Sequence, residues 1–302
     1  MKVIRKLGRA YCEHRAAAMP ERRWSTVGLG VVVAVRNRAG QRVENFMRTL
    51  RRQTMPPDMV DVTLVDYGSE PDQAASLREA CLDWRVRYVG YGVASHLERR
   101  RGHALNVGLR QMPSWCRIAL CTDIDMLFAP NLLEWVMRTQ LAYPRALTLC
   151  QFMDLPEEAI GPDTDPVAEF EQLHQMATWY DDGATGPCTA APRAWFHAIR
   201  GYDERLFGED HDDADIHHRA KWDGLVDVWI HEQTTLLHQW HYRRYDPPSN
   251  PEQALDHESY HRHIDRNRQL VEESHSVVRN EGFEWGELPA DGVVVEPPER
   301  RR

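Results

Sequence analysis

Five consecutive residues, Val31-Val32-Val33-Ala34-Val35, are apolar, and four of them are β-branched. A half-exposed strand alternates apolar and polar residues. A strand that is apolar on both faces has to be covered on both, as is a central strand of a parallel sheet flanked by helices. The segments that follow keep to that plan. Val43, Phe46, Met47 and Leu50 recur at i, i+3, i+4 and i+7, which predicts a helix with one apolar stripe ending before Pro56-Pro57. Strands are expected at 60–65, 85–89 and 118–122, with helices at about 72–82 and 104–111 between them. This alternation predicts an α/β fold, a Rossmann-like, doubly wound, mostly parallel sheet in a single domain. Its nucleotide crevice would lie at the carboxyl ends of the strands.

The second half is less regular. Helices are expected at 131–140, 195–201 and 212–222, strands at 146–151 and 226–230, and an acidic, proline-containing loop at 155–165. After the breaker Asp246-Pro247-Pro248-Ser249-Asn250-Pro251, a polar helical extension over about 251–277 leads into a charged tail.

Charge narrows the functional classes. With 37 Lys+Arg against 46 Asp+Glu the net charge is −9, which argues against a general nucleic-acid binder. Ten Trp and 42% hydrophobic residues argue against disorder. The longest apolar run, residues 27–35, is strand-sized, so no membrane span is expected. The first 23 residues carry Lys2, Arg5, Lys6, Arg9, Arg15, Arg22 and Arg23 without an apolar core, so no signal peptide is expected there. A solvated basic helix, or peripheral contact with an anionic membrane surface, is the reading for that segment. Cys12, Cys81, Cys116, Cys121, Cys150 and Cys188 show no zinc-like spacing, which suggests reduced thiols and a cytoplasmic location.

Three clusters can carry chemistry. Asp123-Ile124-Asp125 directly follows an expected buried strand. In an extended segment residues i and i+2 share a face, so both carboxylates are expected to reach one hard divalent cation. Without a cation two like charges at a sheet end are costly, unless the end is simply solvated. The second cluster follows Gly208 and comprises Glu209, Asp210, Asp212, Asp213 and Asp215. The last three fall in the first turn of an expected helix, where the macrodipole alone favours acids. Glu209 and Asp210 precede that helix and can point into a cleft as general base. Third, Leu236-Leu237-His238-Gln239-Trp240-His241 ends a strand-like entry in two imidazoles, candidate metal ligands. Arg101-Gly102-His103 opens the helix at 104–111, whose N-terminus can receive a diphosphate. His217 and His218 read as surface or packing residues.

Taken in order, these segments resemble the GT-A fold glycosyltransferases of the family 2 class. The carboxyl half is similar to the β-galactosyltransferases and polypeptide N-acetylgalactosaminyltransferases. The resemblance covers about residues 27–245. It implies a nucleotide-binding half at 27–130 and an acceptor-binding half at 131–245, flanked by a basic segment 1–26 and an extension 246–302. Val31 to Arg38 resembles the opening strand and loop, which implies that Val35, Arg36 and Asn37 face the nucleotide. Asp66-Tyr67-Gly68-Ser69 matches the acidic turn after the second strand, placing Asp66 near the uracil or ribose. Arg101 to Gly108 is similar to the segment covering the nucleotide, which implicates Arg101, His103 and Asn106. Asp123-Ile124-Asp125 stands at the metal motif, with Asp125 a direct ligand and Asp123 a ligand or a ribose or water contact. Gly186 to Ala191, with Trp195, Phe196 and Gly201-Tyr202-Asp203-Glu204, resembles the acceptor side. Gly208-Glu209-Asp210 matches a motif whose Asp is the base of inverting members, although Leu206-Phe207 replaces the usual Trp-Gly. His241, with His238 beside it, lies where the class places its third metal ligand.

The resemblance implies transfer of a sugar from a nucleoside diphosphate donor, UDP-linked by preference, to an acceptor hydroxyl with the aid of Mn²⁺ or Mg²⁺. Asp210 would be the base of an inverting reaction and Glu209 would orient the acceptor. That acceptor could be a glycan, a protein or a small molecule. A nucleic-acid acceptor is disfavoured by the net charge, although Arg99-Arg100-Arg101 could serve one. The alternatives are a nucleotidyltransferase acting on a sugar phosphate and a degenerate sugar-nucleotide-binding protein. The first would show a glycine-rich basic loop after the first strand, where Arg36-Asn37-Arg38-Ala39-Gly40 holds one glycine.

Overall fold

The structure is a computed structural model and describes residues 27–92, 100–180, 186–208, 211–243 and 247–297. Elements are numbered in chain order. Strand β1 (Gly28–Val35) is buried at every position and lies between two parallel neighbours, β2 (Val60–Tyr67) and β4 (Cys116–Asp123). β2 in turn pairs in parallel with β3 (Arg87–Tyr91). The all-apolar run is explained directly by what covers it. Val31, Val33 and Val35 share a core with Val43, Phe46 and Met47 of helix α1 (Gln41–Arg51) and with Leu77 of α2 (Pro71–Trp84). Val32 and Ala34 point the other way, into a second core with Ala104, Leu105 and Val107 of α3 (Arg101–Gln111). α3 comes so close that a Cβ on Gly108 would lie 2.3 Å from Val32, so a glycine is needed there.

The sheet grows beyond the four expected parallel strands. Beside β4 lie the antiparallel β9 (Thr189–Pro192), then β6 (Ala146–Leu149) and β10 (Val226–Trp229). On the far edge β12 (Val293–Val295) runs antiparallel to β3. The order is β10-β6-β9-β4-β1-β2-β3-β12. A second, four-stranded sheet, β5-β11-β7-β8, is made of β5 (Met126–Phe128), β11 (Leu236–His238), β7 (Phe152–Asp154) and β8 (Thr178–Trp179). The remaining helices are α4 (Leu132–Ala142), α5 (Phe170–Met176), α6 (Arg193–Ala198), α7 (Asp212–Trp222) and α8 (Pro251–Glu273), the last being the helical C-terminal extension.

One expected boundary shifts. The strand expected at 146–151 forms as β6 but ends at Leu149, and a further strand that the sequence did not suggest, β7, follows it in the other sheet. The described part of the charged tail, to Pro297, packs back onto the domain. Arg279 reaches the buried carboxylates of Asp203 and Asp215, Asn280 donates to the carbonyls of Arg200 and Tyr202, and Glu296 pairs with Arg87. Cys81, Cys116, Cys121, Cys150 and Cys188 are buried and free of disulfides, whereas Cys12 and the basic segment 1–26 lie outside the described residues. Among the described residues no helix is long and apolar enough to cross a membrane.

Candidate metal and nucleotide site

β4 ends at Asp123, residues 124 and 125 turn, and β5 starts at Met126. β11 pairs antiparallel with β5 in the register His238↔Met126, and the Gln239 amide donates to the Asp125 carbonyl at 2.9 Å. This register brings the His238 segment to the turn that carries Asp125. Gln239 is pinned in turn, accepting from Asn45 at 3.0 Å and donating to the Arg42 carbonyl at 3.1 Å, which ties the end of β11 to α1.

The result is a group of three side chains, Asp125, His238 and His241, whose ligand atoms all lie within 4.8 Å of one another. Nε2 of His241 is 3.2 Å and Nε2 of His238 is 3.9 Å from Oδ2 of Asp125. The two rings meet edge to face at 4.9 Å. Each ring has its other nitrogen engaged by an oxygen. His238 Nδ1 lies 2.8 Å from Asp154 Oδ1, and His241 Nδ1 lies 2.7 Å from the Tyr242 carbonyl. With Nδ1–H donated outward, Nε2 of both rings presents a lone pair toward the same carboxylate oxygen. Three electron-rich atoms converging on one buried point fit a cation, and one oxygen with two imidazole nitrogens is a donor set suited to a first-row divalent ion. Burial by itself would raise the Asp125 carboxyl, yet the Arg38 guanidinium beside it holds it well below the usual range. Burial lowers His241 below the ordinary imidazole value.

Asp123 does not join this group. The shared-face argument assumed an extended chain, and the turn at 124–125 breaks it. Asp123 instead accepts from Arg101 Nε at 2.9 Å, while Arg101 Nη1 reaches Asp212 at 2.7 Å and Nη2 reaches the Gly186 carbonyl at 3.2 Å. Arg101 is thus a clamp between β4, α7 and the Gly186 segment. Burial raises the Asp123 carboxyl despite this partner.

Val35 of β1 is in register with Asp66 of β2, and Ala34 with Asp123 of β4, so these carboxylates border one sheet end. Arg36 Nε donates to the Gly68 carbonyl, and Asn37, with φ of 52°, accepts from the Glu70 amide at 2.7 Å. Asp66 accepts from the Ser69 amide at 3.0 Å and from the Tyr88 hydroxyl at 2.9 Å. It lines a cleft of about 290 Å³ with Ser69, Arg78, Tyr88, Gly90 and Tyr91. His103 and Asn106 are both held by protein partners. His103 bonds Tyr91 through Nδ1 and the Glu287 carbonyl through Nε2. Asn106 is fully buried and engages both backbone groups of Tyr202 and the Glu204 carboxylate. These contacts staple α3 to the chain beyond it.

Glu209 and Asp210 lie outside the described residues. Around them, Asp212 is paired with Arg101, and Asp215 with Arg219 at 2.8 Å and Arg279 at 3.0 Å, so two of the three helix-start acids are buried ion-pair partners and not solvated ones. His217 pairs with Asp227 at 2.7 Å. Asp154 and Arg38 touch the metal group although neither was singled out from the sequence. The signal for Asp154 was available: it follows the apolar pair Phe152-Met153, a carboxylate at a strand terminus in the same manner as Asp123.

No family model and no curated protein sequence matches the chain. Solved structures do resemble it. S. aureus TarS 1-349 in complex with UDP-GlcNAc superposes with a TM-score of 0.55 at 12% identity, over 81% of this chain and 65% of that one. The mannosyltransferase PcManGT from Pyrobaculum calidifontis, in complex with GDP-Man and Mn²⁺, superposes with a TM-score of 0.52 at 15% identity, over 89% and 83%. Against the longer S. aureus TarS structure the chain spans 37% of that protein's length. At these identities the likeness is one of architecture, and with the mostly parallel sheet and its element order it establishes the GT-A fold for this chain.

Proposed function

We propose that this chain is a metal-dependent glycosyltransferase that moves a sugar from a nucleoside diphosphate donor, UDP-linked by preference, to an acceptor hydroxyl. The observation that carries this reading is the convergence of Asp125, His238 and His241 at the end of β4 and β11 in a GT-A sheet. The neighbours' bound UDP-GlcNAc, GDP-Man and Mn²⁺ support it. Mn²⁺ is favoured over Mg²⁺ because the donor set contains two imidazoles. When bound, such an ion would neutralise charge building on the departing diphosphate.

The protein's own groups supply the rest. Asp125, His238 and His241 hold the ion, and the cleft beside Asp66 and Tyr88 takes the nucleoside. Asp210 removes the proton from the acceptor hydroxyl while Glu209 orients it, which implies inversion at the anomeric carbon. The acceptor is a glycan, a protein or a small molecule. A cytoplasmic location belongs to the same proposal, on the cysteine spacing described above.

Thermal shift with UDP-, GDP-, CDP- and TDP-sugars, with and without Mn²⁺, tests this reading, since a bound donor raises the melting temperature by mass action. A Mn²⁺-dependent shift is expected for one nucleotide class, lost in Asp125→Ala and weakened in His241→Ala. Calorimetry showing unchanged UDP affinity in Asp125→Ala with Mn²⁺ present would overturn it.

A further inference from the structure

Arg38 sits in the loop that follows β1, and its Nη1 contacts Oδ2 of Asp125. Oδ2 is also the oxygen that faces Nε2 of both His238 and His241. One carboxylate oxygen therefore has two competing cationic claims, a guanidinium on one side and whatever ion the imidazoles hold on the other. The Asp125 side chain is only 4% exposed and the Arg38 side chain is 27% exposed, so the anion is fixed and the cation is the part free to leave. A buried carboxylate without a counter-charge is costly, and Arg38 meets that need when no ion does. Arg42, the other nearby guanidinium, donates to the Trp240 carbonyl at 3.0 Å and does not replace Arg38 at Oδ2.

We propose that Arg38 is a built-in counter-cation of the metal site, displaced from Asp125 Oδ2 when a divalent ion binds and thereby released toward an anionic ligand at the same sheet end. This rests on the metal reading given above. It makes Arg38 a positioning residue that sets metal affinity from within the protein. Ion and guanidinium exclude each other at one oxygen, so removing Arg38 must strengthen metal binding, whereas removing a ligand must weaken it.

The test uses Mn²⁺ alone, titrated into the full chain without nucleotide and followed by calorimetry and by the loss of the free-ion electron paramagnetic resonance signal. Arg38→Gln is expected to bind Mn²⁺ on the order of tenfold more tightly than the unmodified protein, the usual size of a coupling between two exclusive partners. Arg38→Lys, which keeps the charge, is expected to stay near the unmodified value and shows that the effect is one of charge and not of folding. His241→Ala is expected to bind more weakly. If His241→Ala weakens Mn²⁺ binding while Arg38→Gln leaves it unchanged or weaker, the counter-cation role is wrong and the metal site stands. If neither the unmodified protein nor any variant binds Mn²⁺, both readings fall together.

Discussion

Nδ1 of His238 lies 2.8 Å from Oδ1 of Asp154, across the register pair His238↔Asp154 of β11 and β7, and this contact decides which way the other ring nitrogen faces. With its proton directed at the Asp154 carboxylate, His238 keeps an Nε2 lone pair aimed toward Asp125. A carboxylate placed behind a ligating imidazole fixes the tautomer, holds the ring and raises its basicity. Arg243 contacts the same Asp154 oxygen, so the relay is anchored at its outer end as well.

Asp154→Ala should therefore weaken Mn²⁺ binding by about 10- to 100-fold without touching the ion, the usual effect of deleting an orienting partner. Its side chain is 24% exposed, so the unfolding midpoint should move little. Calorimetric titration alongside urea unfolding checks both halves. Normal Mn²⁺ affinity in a folded variant would remove Asp154 from the relay.

Asp210→Asn should leave Mn²⁺-dependent UDP binding intact while lowering turnover by about 10²-fold or more, the span expected when a general base is lost. Initial rates and UDP calorimetry on the same preparation separate the two. Turnover near that of the unmodified protein would take the base role away from Asp210.

How much of this was readable in the sequence follows from which forces are local. Val31 to Val35 announced the central strand because burial on both faces leaves no room for a polar residue, and the Val43-Phe46-Met47-Leu50 stripe announced the helix that covers it. Two of the short strands carry no such signature. β9 and β12 have four and three residues, and their places in the sheet are set by their neighbours β4 and β3. The ends of β4 and β11 were legible as sites because carboxylates and imidazoles sat at the close of apolar runs. What the sequence could not show was the turn at 124–125, which sends Asp125 to the histidines and leaves Asp123 to Arg101. Nor could it show that Asn106, within a segment resembling a nucleotide cover, is consumed by Tyr202 nearly a hundred residues away.

That last assignment is testable. Asn106 Nδ2 donates to the Tyr202 carbonyl at 2.9 Å and to Glu204 at 2.8 Å, and its Oδ1 accepts from the Tyr202 amide at 2.7 Å. Asn106→Ala leaves buried backbone groups without these partners, at a cost of roughly 2–3 kcal/mol in stability. Urea unfolding should show that loss, with UDP affinity at saturating Mn²⁺ unchanged. Normal stability combined with collapsed UDP affinity would return Asn106 to the nucleotide site.

Asp203 gives the fold a defined acid sensitivity. Burial would raise its carboxyl, but hydrogen bonds from the Arg205 side chain and amide, with the charges of Arg205 and Arg279, hold it below its ordinary value of about 3.8. A carboxylate with a lowered folded value binds its proton more weakly in the folded than in the unfolded chain. Its contribution is therefore present above the unfolded value and is lost as pH falls through the folded one. Nearby Asp215 has the opposite shift, raised by burial, so the whole protein's acid profile mixes both and only a difference isolates Asp203. Asp203→Asn should cost about 3 kcal/mol at pH 7, since it leaves Arg279 short of a buried partner. The gap between it and the unmodified protein should narrow steadily once the pH drops below about 4. Urea midpoints for both proteins at pH 7, 4.5 and 3 measure that gap, and a gap constant across the three would mean that Asp203 does not titrate differently on folding.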